Sequence, residues 1–273
     1  MDFLWSLLDP KGALLIVLLF LPLERLFPAR AEQRTLRRGW GTDIVYFLIN
    51  KVPVGIGLLV IVAFASLAGR VLLPEGFRDM VAAQPLWAQA IALILIADLC
   101  FYAVHRLFHT VPFLWRFHAI HHSIEELDWL AAHRVHPLDQ ILTKGASLIP
   151  CFALGFSSGA IAIFFLVYQW HSLLLHANTR IGLGPLHWVV ASPCFHHWHH
   201  ADHPEAWNRN FSGQIPMWDM LFGTAYMRRD AMPTRYGISE KIPATYLAQM
   251  LHPFRREKED APEKAERTAE YSA

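Results

Sequence analysis

Residues 98–123 read DLCFYAVHRLFHTVPFLWRFHAIHHS, and the interpretation of the rest of the chain starts from this stretch. It continues an apolar run that begins at Leu86, and it contains the patterns H-x-x-x-H and H-x-x-H-H. On a helix, residues i, i+3 and i+4 lie on one face, so each pattern directs its imidazoles toward one point. Pro112 separates the two patterns. We therefore expect two different helices that face each other across a metal-binding centre.

The other histidines extend this pattern along the chain. None of the 16 histidines precedes His105, and fifteen lie between His105 and His203. A second H-x-x-H-H begins at His196, and His176 ends an apolar segment. Neutral imidazole suits iron, copper, nickel and zinc, and one ion accepts at most about six ligands. The sequence has more convergent histidines than one ion can use, which predicts two ions in a shared site.

The composition predicts a membrane protein. Hydrophobic residues make up 54% of the 273 residues and charged residues 17%, whereas an ordinary soluble domain has about 25% charged residues. Single spans are expected at 13–23, 52–69 and 86–104, the first retained because no cleavage-like site follows it. Residues 145–175 contain no charged side chain and predict a helical hairpin bent between residues 150 and 159. These segments predict five crossings.

The basic residues predict the orientation of these spans. With the N-terminus outside, the outer segments contain only Lys11, Arg70 and Arg78, and the other 21 of 24 basic residues lie inside. This topology places both groups of histidines on the cytoplasmic side. The predicted fold is therefore an all-α, polytopic membrane protein with a cytoplasmic helical cap that contains the histidines.

Three domains are expected from this topology. Residues 1–97 form N-terminal transmembrane spans, 98–224 a catalytic domain, and 225–273 a cytoplasmic C-terminal segment whose tail from Pro253 is disordered. The net charge of +1 gives no electrostatic support for nucleic-acid binding. The three cysteines form no C-x-x-C pair, which argues against a disulfide scaffold and a thiolate zinc site.

Eight motifs occur in a fixed order along residues 98–224. The motifs are D-x-x-x-Y-x-x-H-R-x-x-H from Asp98, L-W-R-F-H-x-x-H-H-S from Leu114, R-x-H-P-L-D from Arg134, H-x-N from His176, L-G-P-L from Leu183, H-x-x-H-H from His196, N-R-N-F from Asn208 and W-D-x-L-F-G-T from Trp218. Together they resemble the sterol desaturase and fatty acid hydroxylase superfamily of integral membrane di-iron enzymes. Residues 171–224 are especially similar to the branch that includes alkylglycerol monooxygenase, a pterin-dependent enzyme.

The resemblance implies a metal-ligand role for ten histidines and no catalytic side chain beyond them. They are His105, His109, His118, His121, His122, His176, His196, His199, His200 and, as an addition to this set, His136. The resemblance further implies two iron ions, O2 as co-substrate, and hydroxylation or desaturation of a fatty acyl, sterol or ether lipid. The H-P-G-G signature of a fused cytochrome b5 domain does not occur. Electrons are therefore expected from a separate donor: a reductase, a ferredoxin, a cytochrome b5-like protein or a reduced pterin.

The chemistry of the expected reaction also favours iron. The zinc protease motif H-E-x-x-H does not occur in the sequence. An unactivated lipid C–H bond cannot be cleaved by acid–base catalysis, so a redox metal is needed to attack it.

Two other functions are compatible with many histidines. A metal transporter or sensor would place its ligands near the bilayer midplane, whereas most of these histidines lie outside the apolar runs. A bis-histidine haem could use His105 and His118, but Pro112 interrupts any helix that they share, and the other histidines would be unexplained.

Some individual roles stay open at this point. His197 and His200 form an alternative i, i+3 pair, and His133 and His171 are additional histidines close to the expected ligands. Asp98 is a single acid in an apolar span, seven residues before His105. It is expected either to hydrogen-bond another helix or to orient His105.

Overall fold

The computed structural model describes residues 10–228 and 231–255. All regular secondary structure in these residues is helical, with isolated backbone bridges Pro28–Thr179 and Ala201–Tyr236, so the all-α prediction is confirmed. The α-helices are α1 (Pro10–Leu26), α2 (Trp40–Ile49), α3 (Lys51–Leu72), α4 (Glu75–Ala82), α5 (Leu86–Thr110), α6 (Pro112–His122), α7 (Pro137–Ala153), α8 (Ser158–His176), α9 (Pro193–His199), α10 (Met217–Leu221) and α11 (Tyr246–Leu251). The 3-10 turns are Trp129–His133, Gly184–Trp188, Pro204–Ala206 and His252–Phe254.

Three helices, α3, α5 and α8, are long and apolar enough to cross a membrane. On α3, the outward-facing side chains of Val60, Phe64 and Leu67 are 65%, 68% and 62% exposed. An exposed apolar surface of this extent is stable against lipid and unfavourable in water. Helices α1 and α7 have 17 residues each, slightly fewer than the roughly 20 needed to cross the hydrocarbon. Five crossings therefore stay a prediction.

Helices α7 and α8 form the expected hairpin. The turn occupies residues 154–157, inside the predicted bend, and Gly155 adopts a left-handed φ of 88°. The Ser157 hydroxyl accepts the N–H of Ala160 and caps α8. Beside the hairpin, α3 crosses α7 so closely that a Cβ at Gly69 would overlap the main chain of Ala153. Glycine at this position permits the tight crossing.

The helices bring their histidine-bearing ends to the same end of the bundle. The Asn50 side chain, just before α3, donates to the Val135 carbonyl close to the start of α7. At the opposite end, Gly155 in the hairpin turn lies against Arg78 of α4. The chain direction then places the ends of α5 and α8 beside the start of α7. The short helices α6 and α9 cover this end as a cap.

The C-terminal part of the description differs in one respect from the sequence-based expectation. Residues 253–255 were expected to begin a disordered tail, but Pro253 is buried and the Phe254 ring packs 5.5 Å from the Phe117 ring of α6. The apolar contact stabilises this short segment. The rest of the expected tail, 256–273, lies outside the described residues. The division into three domains stays a prediction.

Candidate metal centre

Nine of the ten expected ligands converge in two groups at the capped end of the bundle. In each group, one ring nitrogen from every histidine lies within 4.8 Å of the corresponding nitrogens of the others. The five-histidine group contains His105, His109, His118, His122 and His199. The four-histidine group contains His121, His176, His196 and His200. Eight of these nine side chains are buried, and His109 is half-buried.

Each H-x-x-H-H motif supplies both groups. On α6, His118 and His122 are four residues apart and join the five-histidine group, while His121 points into the other group. His196 of α9 and His200, directly after it, join the four-histidine group, and His199 joins the five-histidine group. Each of these two helices begins with a proline at its first position, where the fixed φ of proline favours the start of a helix. The helical turn then directs neighbouring histidines into different groups. The stacked rings of His122 and His200, 4.5 Å apart, lie at the boundary between the groups.

The outer nitrogen of many rings is held by an oxygen acceptor. In the four-histidine group, Nδ1 of His121 donates to the Arg134 carbonyl at 3.0 Å, and Nδ1 of His176 donates to the Ser172 carbonyl at 2.8 Å. In the five-histidine group, the acceptors, each at 2.7 Å, are the Phe211 carbonyl for His105, the Asp139 carboxylate for His118 and the Arg209 carbonyl for His199. A carbonyl oxygen only accepts, so the proton lies on Nδ1 and leaves Nε2 as a free lone pair.

These lone pairs face each other at short range. The Nε2 atoms of His121 and His176 are 3.1 Å apart, and neither has a proton to donate because both Nδ1 atoms bond to carbonyls. Such a contact is repulsive unless a cation lies beside both nitrogens. Two nitrogens about 2.1 Å from one ion are about 3.0 Å apart at right angles and about 3.4 Å apart in a tetrahedron. The observed spacing is of the size expected for two imidazole nitrogens bound to one metal ion.

The same spacing recurs in the five-histidine group and excludes a haem between its rings. The Nε2 atoms of His105 and His118 are 3.0 Å apart. Two axial ligands on opposite sides of a haem iron would be separated by about 4 Å, with the macrocycle between them. The contacts His118–His122 and His122–His199, both at 3.1 Å, continue the series of close nitrogen pairs.

Burial keeps these imidazoles in the neutral form that metals require. For the six group members on α6 and α9 and at the end of α9, burial lowers the pKa well below 6.5, and the neighbouring imidazoles lower the pKa of most of them further. At neutral pH these side chains are therefore unprotonated on the nitrogen that faces the group. The donor chemistry, the burial and the nitrogen spacing together fit two metal ions.

His136 is the expected ligand that the structure does not bring into either group. Its Nδ1 accepts the N–H of Leu138 at 3.2 Å, and its Nε2 lies 3.4 Å from the Met250 carbonyl. The reason is local: Pro137 occupies the first position of α7, which makes His136 the capping residue of that helix. His136 therefore caps α7 and lies outside both groups, and its role as a metal ligand stays a prediction.

The histidines with open roles also lie outside the two groups. His197 contacts the Tyr236 hydroxyl at 2.7 Å and the Ala177 carbonyl at 3.0 Å, so the alternative His197/His200 pair does not form. His171 bonds to the Ala191 carbonyl at 2.7 Å. The His133 ring packs against Phe47 with a centroid distance of 4.8 Å. Within the described residues, these side chains support the walls of the site.

Asp98 acts on His105 through a loop. Its carboxylate accepts the main-chain N–H groups of residues 213, 214 and 215 at 3.0, 2.8 and 2.8 Å. Asp219 holds the preceding part of the same loop by accepting the N–H of Phe211 at 2.7 Å and that of Ser212 at 2.8 Å. The Phe211 carbonyl is thereby fixed where it accepts from His105. Both expectations for Asp98 are partly met, because it bonds to a distant segment that orients the histidine.

The motif N-R-N-F uses an unusual backbone conformation to reach His199. Asn208 and Asn210 have φ values of 55° and 59°, in the left-handed region that asparagine tolerates better than most residues. Between them, Arg209 directs its carbonyl to Nδ1 of His199. The Asn210 side chain fixes the loop by accepting the Tyr226 N–H and donating to the Phe195 carbonyl.

Sequence reasoning missed the residues that anchor the rings. The signal for Asp139 is its place in R-x-H-P-L-D, because a carboxylate near a cluster of histidines is a common outer partner of a metal ligand. The signal for Asp43 is that it is an acid in the otherwise apolar α2. It is fully buried, bonds to Arg134, whose carbonyl accepts from His121, and also pairs with Arg37 at 2.6 Å. The main-chain acceptors leave no signature in the side-chain sequence.

Two openings reach the histidines from different sides. A lipid-side cavity between α5, α7 and α8 contacts His105, His118, His121, His176 and His196 and is also lined by Phe101, Gln140, Lys144, Tyr168 and Gln214. An outer cleft contacts His109, His122 and His199 and is also lined by Trp115, Asp202, Trp207, Asn208 and Glu240. The groups are therefore accessible from the helix bundle and from the surface of the cap.

Comparisons with known proteins agree with this site. Residues 90–224 match the family model described as fatty acid hydroxylase. The ornithine lipid hydroxylase OlsE of Rhizobium tropici is 29% identical over 259 residues, which cover 94% of this chain and 77% of that protein. Alkylglycerol monooxygenases of Xenopus tropicalis and Caenorhabditis elegans are 30% identical over 146 and 145 residues, 53% and 52% of this chain.

The extent of these matches differs. This chain covers only 32% and 28% of the two alkylglycerol monooxygenases. No solved structure gives a significant match. The family match contains all nine grouped histidines, and it confirms the resemblance found in the motifs. Residues 90–224 therefore match a fatty acid hydroxylase domain, and the relatives agree with the resemblance to the sterol desaturase and fatty acid hydroxylase superfamily.

Proposed function

We propose that this protein is an O2-dependent di-iron enzyme that hydroxylates a C–H bond of a membrane lipid. The observation that carries the proposal is the 3.1 Å contact between the unprotonated Nε2 atoms of His121 and His176. A second contact of the same kind joins His105 and His118. Two sites that each need a cation, in a domain of this family, favour two iron ions. Iron, when bound, supplies the redox chemistry with O2 that side chains lack.

The nine grouped histidines would hold the two ions. The five-histidine group would hold one and the four-histidine group the other. One ion accepts at most about six ligands, so both groups leave room for ligands other than protein. The carboxylate of Asp139 and the carbonyls that accept from Nδ1 keep the Nε2 lone pairs directed into the groups. No further side chain is assigned a direct chemical role.

The lipid-side cavity would position the substrate. It opens between α5, α7 and α8, two of which are long and apolar enough to span a membrane. Apolar side chains such as Phe101, Val135 and Leu175 line the part next to the histidine rings. They would hold an acyl chain against the centre and exclude water from the reacting carbon.

The outer cleft is the side from which we expect electrons. It reaches His109, His122 and His199 without passing through the lipid-side cavity. Trp115 and Trp207 line it together with Asp202 and Glu240. A separate donor, a protein or a reduced pterin, could therefore approach the centre while a lipid occupies the other opening.

We further propose a multi-pass topology with the histidines at the cytoplasmic face. Arg70 and Arg78 lie at the bundle end opposite the histidines. Arg30, Arg134 and Arg209 are among the described basic residues on the histidine side. The excess of basic residues beside the cap supports a cytoplasmic location. Within the described spans, His105, His109 and His176 occupy the last turns of α5 and α8. This placement favours a reaction centre at the membrane surface over a transport site at the midplane.

Hydroxylation is favoured over desaturation by the relatives. The proteins matched over most or half of this chain are named as a hydroxylase and as monooxygenases. Their named substrates differ, ornithine lipid in one case and alkylglycerol in the other. A membrane lipid is the substrate class that these names share, and it suits a cavity between apolar helices.

Metal analysis of the purified full-length chain tests the proposal. The protein should bind about two iron ions and form hydroxylated lipid when it is supplied with O2 and a reductant. His121→Ala and His199→Ala should reduce iron content and lower hydroxylation to background, because each removes one ligand from a different group. His252→Ala, outside both groups, should leave both measurements unchanged. Full activity in His121→Ala, or a zinc-saturated protein that consumes no O2 when iron is supplied, would contradict the proposal.

A further inference from the structure

The lipid-side cavity contains a cation that forms no ion pair with any described residue. Lys144 of α7 is half-buried and lines the cavity together with five of the grouped histidines. Within residues 10–228 and 231–255, no hydrogen bond or ion pair involves its side chain. Asp139 lines the same cavity; one of its carboxylate oxygens bonds to His118 and the other has no hydrogen-bond partner among the described residues, but it forms no ion pair with Lys144. A charge in an apolar cavity is unfavourable unless another group compensates it.

A second polar side chain in the same cavity is also unsatisfied. Gln214 is 4% exposed, and neither its amide oxygen nor its amide nitrogen has a hydrogen-bond partner among the described residues. Its position is fixed, because its main-chain N–H bonds to Asp98 at 2.8 Å. A buried amide in a loop held this firmly cannot readily turn outward to reach water. Its unused donor and acceptor therefore point to a polar ligand inside the cavity.

The two groups lie within reach of the histidines. Lys144 follows Asp139 by five residues on α7, which corresponds to about 7.5 Å along the helix axis. Asp139 itself contacts His118 of the five-histidine group. Tyr168 of α8 and Gln140 of α7 add a hydroxyl and a second amide to the walls of the same cavity. The apolar space next to the rings is thus bordered by hydrogen-bond donors around one ammonium group.

We propose that Lys144 and Gln214 bind an anionic group, a carboxylate or a phosphate, of the lipid that occupies this cavity. The substrate class would then be an acidic lipid. The Lys144 ammonium compensates the negative charge, and the Gln214 amide donates a hydrogen bond to one of its oxygens. This inference rests on the proposed function for the reaction itself, but the binding that it assigns does not require turnover.

Lipid binding to the iron-loaded, full-length protein in detergent tests this assignment. The probes are oleate, dioleoyl phosphatidate and dioleoylglycerol; all contain oleoyl chains, one in oleate and two in each of the others, and dioleoylglycerol alone has no anionic group. Wild-type protein should bind at least one of the two acids about tenfold or more tightly than dioleoylglycerol. Preference for oleate identifies a carboxylate, and preference for phosphatidate identifies a phosphate; either result supports the proposal.

Variants connect the preference to the residues. Lys144→Met should abolish the discrimination, Lys144→Arg should retain most of it, and Gln214→Leu should reduce it partly. Lys241→Met removes an exposed lysine elsewhere and should bind all three lipids like wild type. Iron content is measured in every variant, so that a folding defect in Lys144→Met is recognised. If Lys144→Met has such a defect, the discrimination between acidic and neutral lipids is compared between Gln214→Leu and wild type instead.

The outcomes separate this inference from the proposed function. Equal binding of acidic and neutral lipids by wild-type protein would overturn the assignment even if the enzyme hydroxylates lipids. Unchanged discrimination in both Lys144→Met and Gln214→Leu would overturn it as well. A protein that selects acidic lipids through Lys144 but never hydroxylates them would retain the binding site and refute the enzymatic proposal alone.

Discussion

The two histidine groups are adjacent and built from the same helices, but they are held differently. In the five-histidine group, three rings donate from Nδ1 to an oxygen, and one of these acceptors is the Asp139 carboxylate. In the four-histidine group, only His121 and His176 have such acceptors, and both acceptors are carbonyls. The outer nitrogens of His196 and His200 are buried without a partner among the described residues.

This difference indicates that the two histidine groups differ in metal affinity and in the number of open coordination positions. More ligands, more fixed rings and a carboxylate should give the five-histidine group the higher affinity for its ion. Fewer ligands leave more open positions in the four-histidine group, which also faces the lipid-side cavity through His121, His176 and His196. We expect the five-histidine group to be the more robust half of the centre and the four-histidine group the more exchangeable half.

The largest expected effect comes from removing one ligand from each group. His200→Ala leaves three histidines in its group and should lower iron content from about two to about one ion per chain, with hydroxylation at background. His122→Ala leaves four histidines in its group and should retain more iron. Metal analysis and product quantification check both variants. Greater iron loss in His122→Ala than in His200→Ala would contradict the expected difference between the two groups.

A smaller effect is expected from the outer partner of His118. Asp139→Asn replaces the carboxylate that holds Nδ1 of His118 and should weaken binding of the ion proposed for the five-histidine group by about 10- to 100-fold. A titration with a competing chelator measures this change. Asp202→Asn, which removes an acid from the outer cleft, is the matched control. Identical iron retention in Asp139→Asn and wild type would show that the carboxylate does not distinguish the groups.

The dependence of stability on pH tests the support of the four-histidine group. Burial lowers the pKa of His197, and separately that of His133, to about 3, from an ordinary 6.5. The unfolded chain binds these protons below pH 6.5 and the folded chain does not. The free energy of unfolding therefore falls with decreasing pH, by about 1.4 kcal/mol per pH unit for each group, until about pH 3.

Two variants separate general acid sensitivity from an effect on the centre. His197→Gln and His133→Gln should each make the free energy of unfolding less dependent on pH, as measured by denaturation between pH 7 and pH 5. Only His197 bonds to the Ala177 carbonyl, next to His176 of the four-histidine group. Only His197→Gln should therefore also accelerate iron loss. Equal iron loss from both variants would argue against this local support.

The smallest effect is expected at Asp98. Asp98→Asn keeps the shape of the side chain but weakens three bonds to the loop that presents the Phe211 carbonyl to His105. We expect a loss of about 1–3 kcal/mol in the free energy of unfolding. The iron content should change little, because four other ligands remain in that group. Thermal denaturation checks this, with the exposed Asp79→Asn of α4 as control. An unchanged midpoint would contradict the anchoring role.

The sequence allowed the spans and most grouped histidines to be predicted for simple physical reasons. An uncharged apolar run has few alternatives to a buried or membrane-facing helix, which explains α3, α5 and the hairpin of α7 and α8. Histidines three or four residues apart on a helix necessarily share a face. Their convergence required only that the helix ends meet at one end of the bundle.

The remaining features depend on contacts between distant segments. His136 has the same residue type as the ligands, but the start of α7 at Pro137 directs it to a capping position. His105 and His199 both donate to main-chain carbonyls of one loop. The acceptor of His105 is more than 100 residues away in the sequence, and the acceptor of His199 is ten residues away. Nothing in the side-chain pattern shows which ring joins which group, because adjacent residues such as His121 and His122 diverge by about 100° around a helix.

The division of each H-x-x-H-H motif between the two groups limits how such a centre can be altered. In the proposed two-ion centre, exchange of a single side chain would affect one ion and leave its neighbour. A whole helix cannot be exchanged in this way, since α6 and α9 each form a wall of both compartments. Deleting, shifting or rebuilding either one would dismantle the pair, so a version of this scaffold with one metal would have to arise by point substitution and could not arise by loss of a module.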